Sequence, residues 1–232
     1  MKQSIIIATI KEWNIDNYFK LKKELENSYD LYLITNQEEL IYENIEKLNP
    51  KYIFFPHWSW IIPSEIYENY ECILFHMTDL PYGRGGSPLQ NLIMNKIYNT
   101  KISAIKVSKD LDEGDIYLKE DFDISKGSAK EIFENASNII FKNLIPNIIS
   151  QNIVPTRQNG KVVIFKRRTP EQSDINSLKE LSINNLYDFI RMLDAPSYPK
   201  AYIKLDKIKI EFTEVTLKNG KLEGKFEVSE DE

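Results

Sequence analysis

A single cysteine, Cys72, occurs in the 232-residue chain, so no internal disulfide can staple the fold. It lies in the apolar run ECILFH and reads as a small buried hydrophobe. An excess of positive charge is also missing. Lys and Arg number 30 against 35 Asp and Glu, a net charge of -5, with a sequence pI near 5.3. The basic surface that usually marks tRNA or DNA binding is therefore absent overall, which argues against a nucleic-acid partner. The cluster Lys166-Arg167-Arg168 is a local exception, read as phosphate contacts or as a solvated basic turn. Long apolar runs are lacking as well. The opening MKQSIIIATIKEWN is too short in its apolar stretch for a signal peptide or a membrane span, so a cytoplasmic protein with no membrane partner is expected. No His/Cys/Asp cluster has metal-ligand spacing and no P-loop or GxGxxG run occurs, so neither a metal nor a nicotinamide is expected.

What is present is an alternation of short apolar runs and helical spacing. Residues 4–9, 30–35, 51–56 and 71–76 read as buried strands, being short, rich in β-branched and aromatic residues, and without polar alternation. Helical patterns fill 15–27, 37–48 and 63–70, with Tyr18, Leu21 and Leu25 on one face of the first. Residues 78–88 form a Gly- and Pro-rich loop, followed by a helix to about Tyr98. Segments 102–107 and 115–124 read as a hairpin, and 128–150 as one long helix capped by Ser128. Strands alternating with helices imply a Rossmann-like α/β domain over 1–150 with a mostly parallel sheet. After it come a polar extended stretch, a helix over 182–193 and three alternating segments, AYIKL, KIKIEFTEVTL and KLEGKFEV. These predict a small antiparallel β appendage over 151–232, ending in an acidic tail, SEDE, that frays.

In parallel sheets, sites form where strands end. The first, third and fourth strands end in Thr9–Asn14, Pro56–Pro63 and His76–Pro88, and these loops should converge. The loop after the fourth strand holds His76, Thr78, Asp79 and Arg84. The hairpin turn KDLDEGDI holds Asp112, on a neighbouring strand end in this reading. A carboxylate beside an imidazole fixes its tautomer and favours its charged form, the arrangement a general base needs for acyl transfer to an amine. A structural His after a buried strand and an ordinary acidic turn fit the same residues.

The stretch F-H-M-T-D-L-P-Y-G-R-G-G-S-P-L, followed about 35 residues after His76 by L-D-E-G-D-I, resembles the folate-dependent formyltransferase family. That family's pattern is Asn-x-His, Ser-Leu-Leu-Pro, Arg-Gly, Pro and later Asp-x-Gly. His76, Thr78, Leu80-Pro81, Arg84-Gly85, Pro88 and Asp112-Glu113-Gly114 fall on it. VVIFKRRTPEQS and IRMLDAPSYPKAYIKL resemble segments that close the formyltransferase domain of the polymyxin-resistance aminoarabinose enzyme. The resemblance implies 10-formyltetrahydrofolate as donor, His76 as proton acceptor and Asp112 as its support. It implies a pterin site against Ser59, Trp60, Ile61 and Ile62 and against Lys109, Asp110 and Asp112, with Trp58 beside it. It places the amine substrate near Lys11, Trp13, Asn14, Thr78 and Arg84, with Arg84 bracing the loop as a second role. The family's asparagine two positions before the histidine is Leu74 here. Since that amide polarises the formyl oxygen, Asn91 is the leading candidate replacement, with a backbone N–H or protonated His76 as the other donors; an exposed helix residue fits Asn91 equally.

The small appendage, the acidic pI and the aminoarabinose-type tail point to a sugar N-formyltransferase, with a UDP- or dTDP-linked 4-amino-4,6-dideoxy sugar as acceptor in surface polysaccharide biosynthesis. The alternatives are a methionyl-tRNA formyltransferase-like enzyme, or a non-catalytic folate- or sugar-binding relative. The family's habit of dimerising through its C-terminal part allows a homodimer in which Ile208, Ile210 and Phe212 take part. The same residues also suit the appendage's own core.

Overall fold

The computed structural model describes residues 2–230. In β1 (Gln3–Ala8), Ile5, Ile6, Ile7 and Ala8 are all fully buried, so both faces of the strand are covered. Such a strand belongs inside a sheet with other elements on each side. β1 pairs in parallel with β2 (Tyr29–Ile34) and β3 (Tyr52–Phe55), and β3 pairs in parallel with β4 (Cys72–His76). β6 (Asn99–Lys106) continues the sheet antiparallel to β4, and β7 (Ile116–Asp123) closes the order β2-β1-β3-β4-β6-β7. The expected α/β core with a mostly parallel sheet is the one observed. A short β5 (Tyr82–Gly85) lies within the run expected to be all loop, and it pairs with β8 (Val163–Phe165).

One sheet face packs a cluster of Ile6, Ala8, Ile53, Phe55 and Cys72 with Ile45, Ile66 and Val107. α1 (Glu12–Leu25) buries Asn14, Asn17, Tyr18 and Leu21, the three- and four-residue spacing of one helical face. α2 (Tyr42–Leu48) starts later than the pattern suggests, because Asn36 caps a separate 3-10 turn at Gln37–Glu39. It ends at Asn49, whose φ of 41° turns its N–H back to the Ile45 and Glu46 carbonyls. α3 (Ser64–Tyr67) is a single turn.

The long helix expected over 128–150 is interrupted. α5 (Ala129–Ile139) is followed by a π turn at Ile140–Leu144 and then by α6 (Ile145–Gln151). Pro146 has no N–H to donate, and the wide turn sits immediately before it. At the other end Ser128 and Glu131 cap each other reciprocally, with N···O distances of 2.8 and 3.3 Å.

The chain divides into two compact units. One comprises the chain up to Arg84, Lys101–Phe122 and Glu134–Ile164, and holds the six-stranded sheet. The other comprises Gly85–Thr100, Asp123–Phe133 and the chain from Phe165. It holds α4 (Pro88–Met94), α7 (Ile183–Arg191) and the antiparallel sheet β9 (Ala201–Leu205), β10 (Ile208–Lys218) and β11 (Lys221–Glu230). Its register sets Ile210 opposite Ile203 and Val228, and Phe212 opposite Ala201 and Phe226, which is the predicted appendage. Arg191 is buried there. It donates to Asp188 at 2.8 Å and to the Ile124 and Gly127 carbonyls. Burial alone would raise Asp188's pKa, but hydrogen bonds from Tyr98, Lys96 and Arg191 outweigh it and hold the carboxyl below its ordinary value. β11 runs to Glu230; Asp231 and Glu232, the rest of the tail expected to fray, lie outside the described residues. Among the described residues no helix is long and apolar enough to cross a membrane.

Candidate active site

The ends of β1 and β3 are tied together by buried polar side chains. Thr9 Oγ1 donates to the Pro56 carbonyl at 2.6 Å. Asn14 Nδ2 donates to Thr9 Oγ1 at 2.9 Å and to the Pro56 carbonyl at 3.1 Å. Asn14, carried as a substrate contact, is thus engaged in joining the two loops. Beyond Pro56, His57 adopts a left-handed backbone with φ 57°. Its ring meets Trp13 edge-on with centroids 6.0 Å apart, and the Lys11 ammonium lies 5.8 Å from the Trp13 centroid. Burial, seconded by the charge of Lys11, pushes His57 down to about 4. Burial also lowers Lys11.

His76 closes β4 and is buried. Its Nε2 lies 2.8 Å from the Gly83 carbonyl oxygen. A carbonyl can only accept, so Nε2 carries the hydrogen. Nδ1 then faces Asp112, 3.5 Å from Oδ2. The expected pair does meet, but not by the expected route. β6 is antiparallel to β4, with Lys106 opposite Ile73 and Ser103 opposite His76, so β6 ends beside the start of β4. The loop after β6 must climb back along β4 by roughly 10 Å to deliver Asp112 to His76. Two features hold that return. Asp112 itself takes φ 55°. A Cβ on Gly114 would fall 1.7 Å from the Lys106 carbonyl oxygen, so only glycine lets the turn press against β6.

Arg84 and Thr78 turn inward. Thr78 is fully buried, and its hydroxyl donates to the same Gly83 carbonyl at 3.3 Å. Arg84 donates through Nε and Nη2 to Gln158 Oε1, at 3.1 and 2.9 Å, and its Nη1 lies 2.6 Å from Glu113. The bracing role is the one this geometry displays. Gln158 was not singled out in the sequence. A lone Gln in a polar extended stretch carries no local signal, and only its partners across the fold give it meaning.

Asn91 is placed differently from the expectation of an oxyanion donor. Its amide nitrogen lies within hydrogen-bond reach of the Gly86, Ser87 and Lys166 carbonyls, at 2.9, 3.0 and 3.0 Å. Both amide hydrogens have acceptors there, so the side chain braces the start of α4. Leu74 packs partly buried against the core cluster. The loops assigned to the pterin are exposed. Ser59, Trp60 and Ile61 lie open after β3, with Trp60 edge-on to Trp58 at 4.9 Å, and Ile62 reaches back to the core. Lys109 and Asp110 are likewise exposed. Among the described residues no cluster of three or more His, Cys, Asp or Glu is placed to hold a metal ion.

Residues 170–229 match a family model described as the methionyl-tRNA formyltransferase C-terminal domain. A solved structure titled methionyl-tRNA formyltransferase from Clostridium thermocellum is 52% identical and aligns over 98% of this chain and 99% of that one, with a TM-score of 0.95. A methionyl-tRNA formyltransferase of Rickettsia massiliae is 32% identical over 57% of this chain, and the match spans less than half, 45%, of the relative's length. A sugar N-formyltransferase from Shewanella covers 96% of both chains at a TM-score of 0.68 but only 15% identity, a likeness of fold alone. These findings overturn the expected nucleotide-linked amino sugar, and with it the expectation of no nucleic-acid partner. Overall acidity and a small appendage were poor grounds, because neither describes the surface at the site. The likeness at 52% identity extends over nearly the full length, and the chain belongs to the formyltransferase family.

Proposed function

We propose that the chain transfers the formyl group of 10-formyltetrahydrofolate to the α-amine of methionyl-tRNA. The observation that carries the chemistry is the buried His76–Asp112 contact, with the Gly83 carbonyl on the far side of the ring. The acceptor rests on the similarity to proteins named methionyl-tRNA formyltransferase.

The amine attacks the formyl carbon as a neutral nucleophile and loses a proton as the C–N bond forms. Nδ1 of His76 takes that proton. The resulting imidazolium has an acceptor at each N–H, Gly83 O at Nε2 and the Asp112 carboxylate at Nδ1, so its charge is met where it appears. The tetrahedral intermediate collapses by breaking the bond to the folate nitrogen, which takes the proton back from His76 and leaves as a neutral secondary aryl amine. The exposed loops at Ser59–Ile62 and Lys109–Asp110 are the proposed folate contacts. Exposed Lys166 and Arg167 are the proposed phosphate contacts; Arg168 is engaged with the Gln172 carbonyl and packs over Phe189.

The test is to incubate the protein with 10-formyltetrahydrofolate and methionyl-tRNA and to follow formylmethionyl-tRNA. Formation of that product supports the proposal, and its absence with active folate donor refutes the acceptor. His76→Ala and Asp112→Asn should each lower kcat by roughly two to four orders of magnitude, the range of general-base catalysis, in a folded protein. Near-native turnover in either variant removes the assigned role.

A further inference from the structure

We infer that Gln158 is a positioning residue that locks the Asp112 turn against His76; the inference rests on the catalytic reading of that pair. Gln158 stands in the extended stretch after α6, partly buried, far in sequence from both catalytic groups. Its two amide halves face opposite partners. Nε2 donates to the backbone carbonyls of Asp112 at 2.7 Å and Gly114 at 2.9 Å. Oε1 accepts from Arg84 Nε and Nη2. Arg84 in turn reaches Glu113, so three consecutive turn residues are held by one bridge.

The turn needs such a hold. Asp112 occupies the left-handed region, which costs a non-glycine residue energy unless its surroundings over-determine it. The loop must also return along β4 without strand pairing of its own. Clamping the carbonyls on both sides of Glu113 fixes the direction in which the Asp112 carboxylate projects. The bridge also joins the turn to Arg84, the residue that follows the Gly83 carbonyl contacted by His76 Nε2. Gln158 thus couples the two acceptors that flank the imidazole without touching the ring.

Only an amide serves both directions. A carboxylate at this position still accepts from Arg84 but cannot donate to the two carbonyls. Gln158→Glu, nearly isosteric, therefore breaks the turn contact while keeping the arginine contact, and Gln158→Ala removes both. In both variants the Asp112 carboxylate is held less firmly in place beside His76. In turnover, kcat should fall roughly 10- to 100-fold with KM for both substrates within about threefold, a loss of orientation rather than of binding. Rates are normalised to the folded fraction from circular dichroism, so a merely structural role shows as lower thermal stability with unchanged kcat. That outcome, or native values in Gln158→Glu, overturns the inference. Undiminished turnover in His76→Ala instead overturns the underlying catalytic reading.

Discussion

At the scale of single residues, two histidines with the same ring sit in different surroundings. His76 has an acceptor at each nitrogen, Gly83 O and Asp112. His57 is half-buried beside the cation Lys11, and desolvation followed by that charge pushes it down to about 4. The sign for stability follows from proton uptake. Between about 6.5 and about 4 the unfolded chain binds a proton at His57 that the folded chain refuses. Stability linked to His57 is therefore full above about 6.5 and is lost as pH falls toward 4, by at most about 3 kcal/mol. In His57→Asn, whose side chain tolerates the left-handed backbone, the urea midpoint should fall less between pH 7 and pH 4.5 than in the native protein. An equal fall in both would show that other groups carry the acid sensitivity. Legibility at this scale was uneven. His76 and Asp112 could be found because motif spacing marks them. Asn91 could not be placed, because a helix-start amide looks the same whether it faces substrate or its own loop.

Among the elements, the buried strands were the most legible. Runs such as Ile5–Ala8 and Tyr52–Phe55 have no polar alternation and admit only an interior position. β4 is the same kind of strand, and Cys72 at its start is fully buried. Burial first, then the neighbouring Glu71, push its thiol up to about 12 against the opposing pull of Lys106. Native protein should therefore resist thiol-specific alkylation at pH 8, and one equivalent should react on unfolding in urea. Rapid labelling of the native protein would show that β4 opens locally. The elements that were misread depend on events between elements. The π turn before Pro146 is one. β6 and β7 do lie side by side, as the expected hairpin requires, but which end of β4 β6 finishes beside depends on sheet register, and local sequence does not encode that.

For the whole molecule, the central lesson is that net charge is a weak guide to a partner. A chain at -5 was read against nucleic acid, yet its 52%-identical solved relative is a methionyl-tRNA formyltransferase. Local charge is what a phosphate backbone meets. If methionyl-tRNA is the acceptor, its KM should rise steeply with salt while that for folate changes little. Replacing Lys166 and Arg167 by Ala should raise the tRNA KM and reduce the slope of log KM against log salt by about one per residue, leaving kcat unchanged. An unaltered slope would place tRNA contact elsewhere. The mostly parallel sheet and the small antiparallel appendage were readable from periodicity alone, whereas the interleaving of two compact units along the chain was not. Gln158 lies beyond the last turn of α6, so chain synthesis delivers His76 and Asp112 well before the side chain that clamps their turn. A nascent chain emerging from the ribosome would hold both catalytic groups for a time without that clamp, and a fragment cut at the end of α6 would remain permanently in that condition.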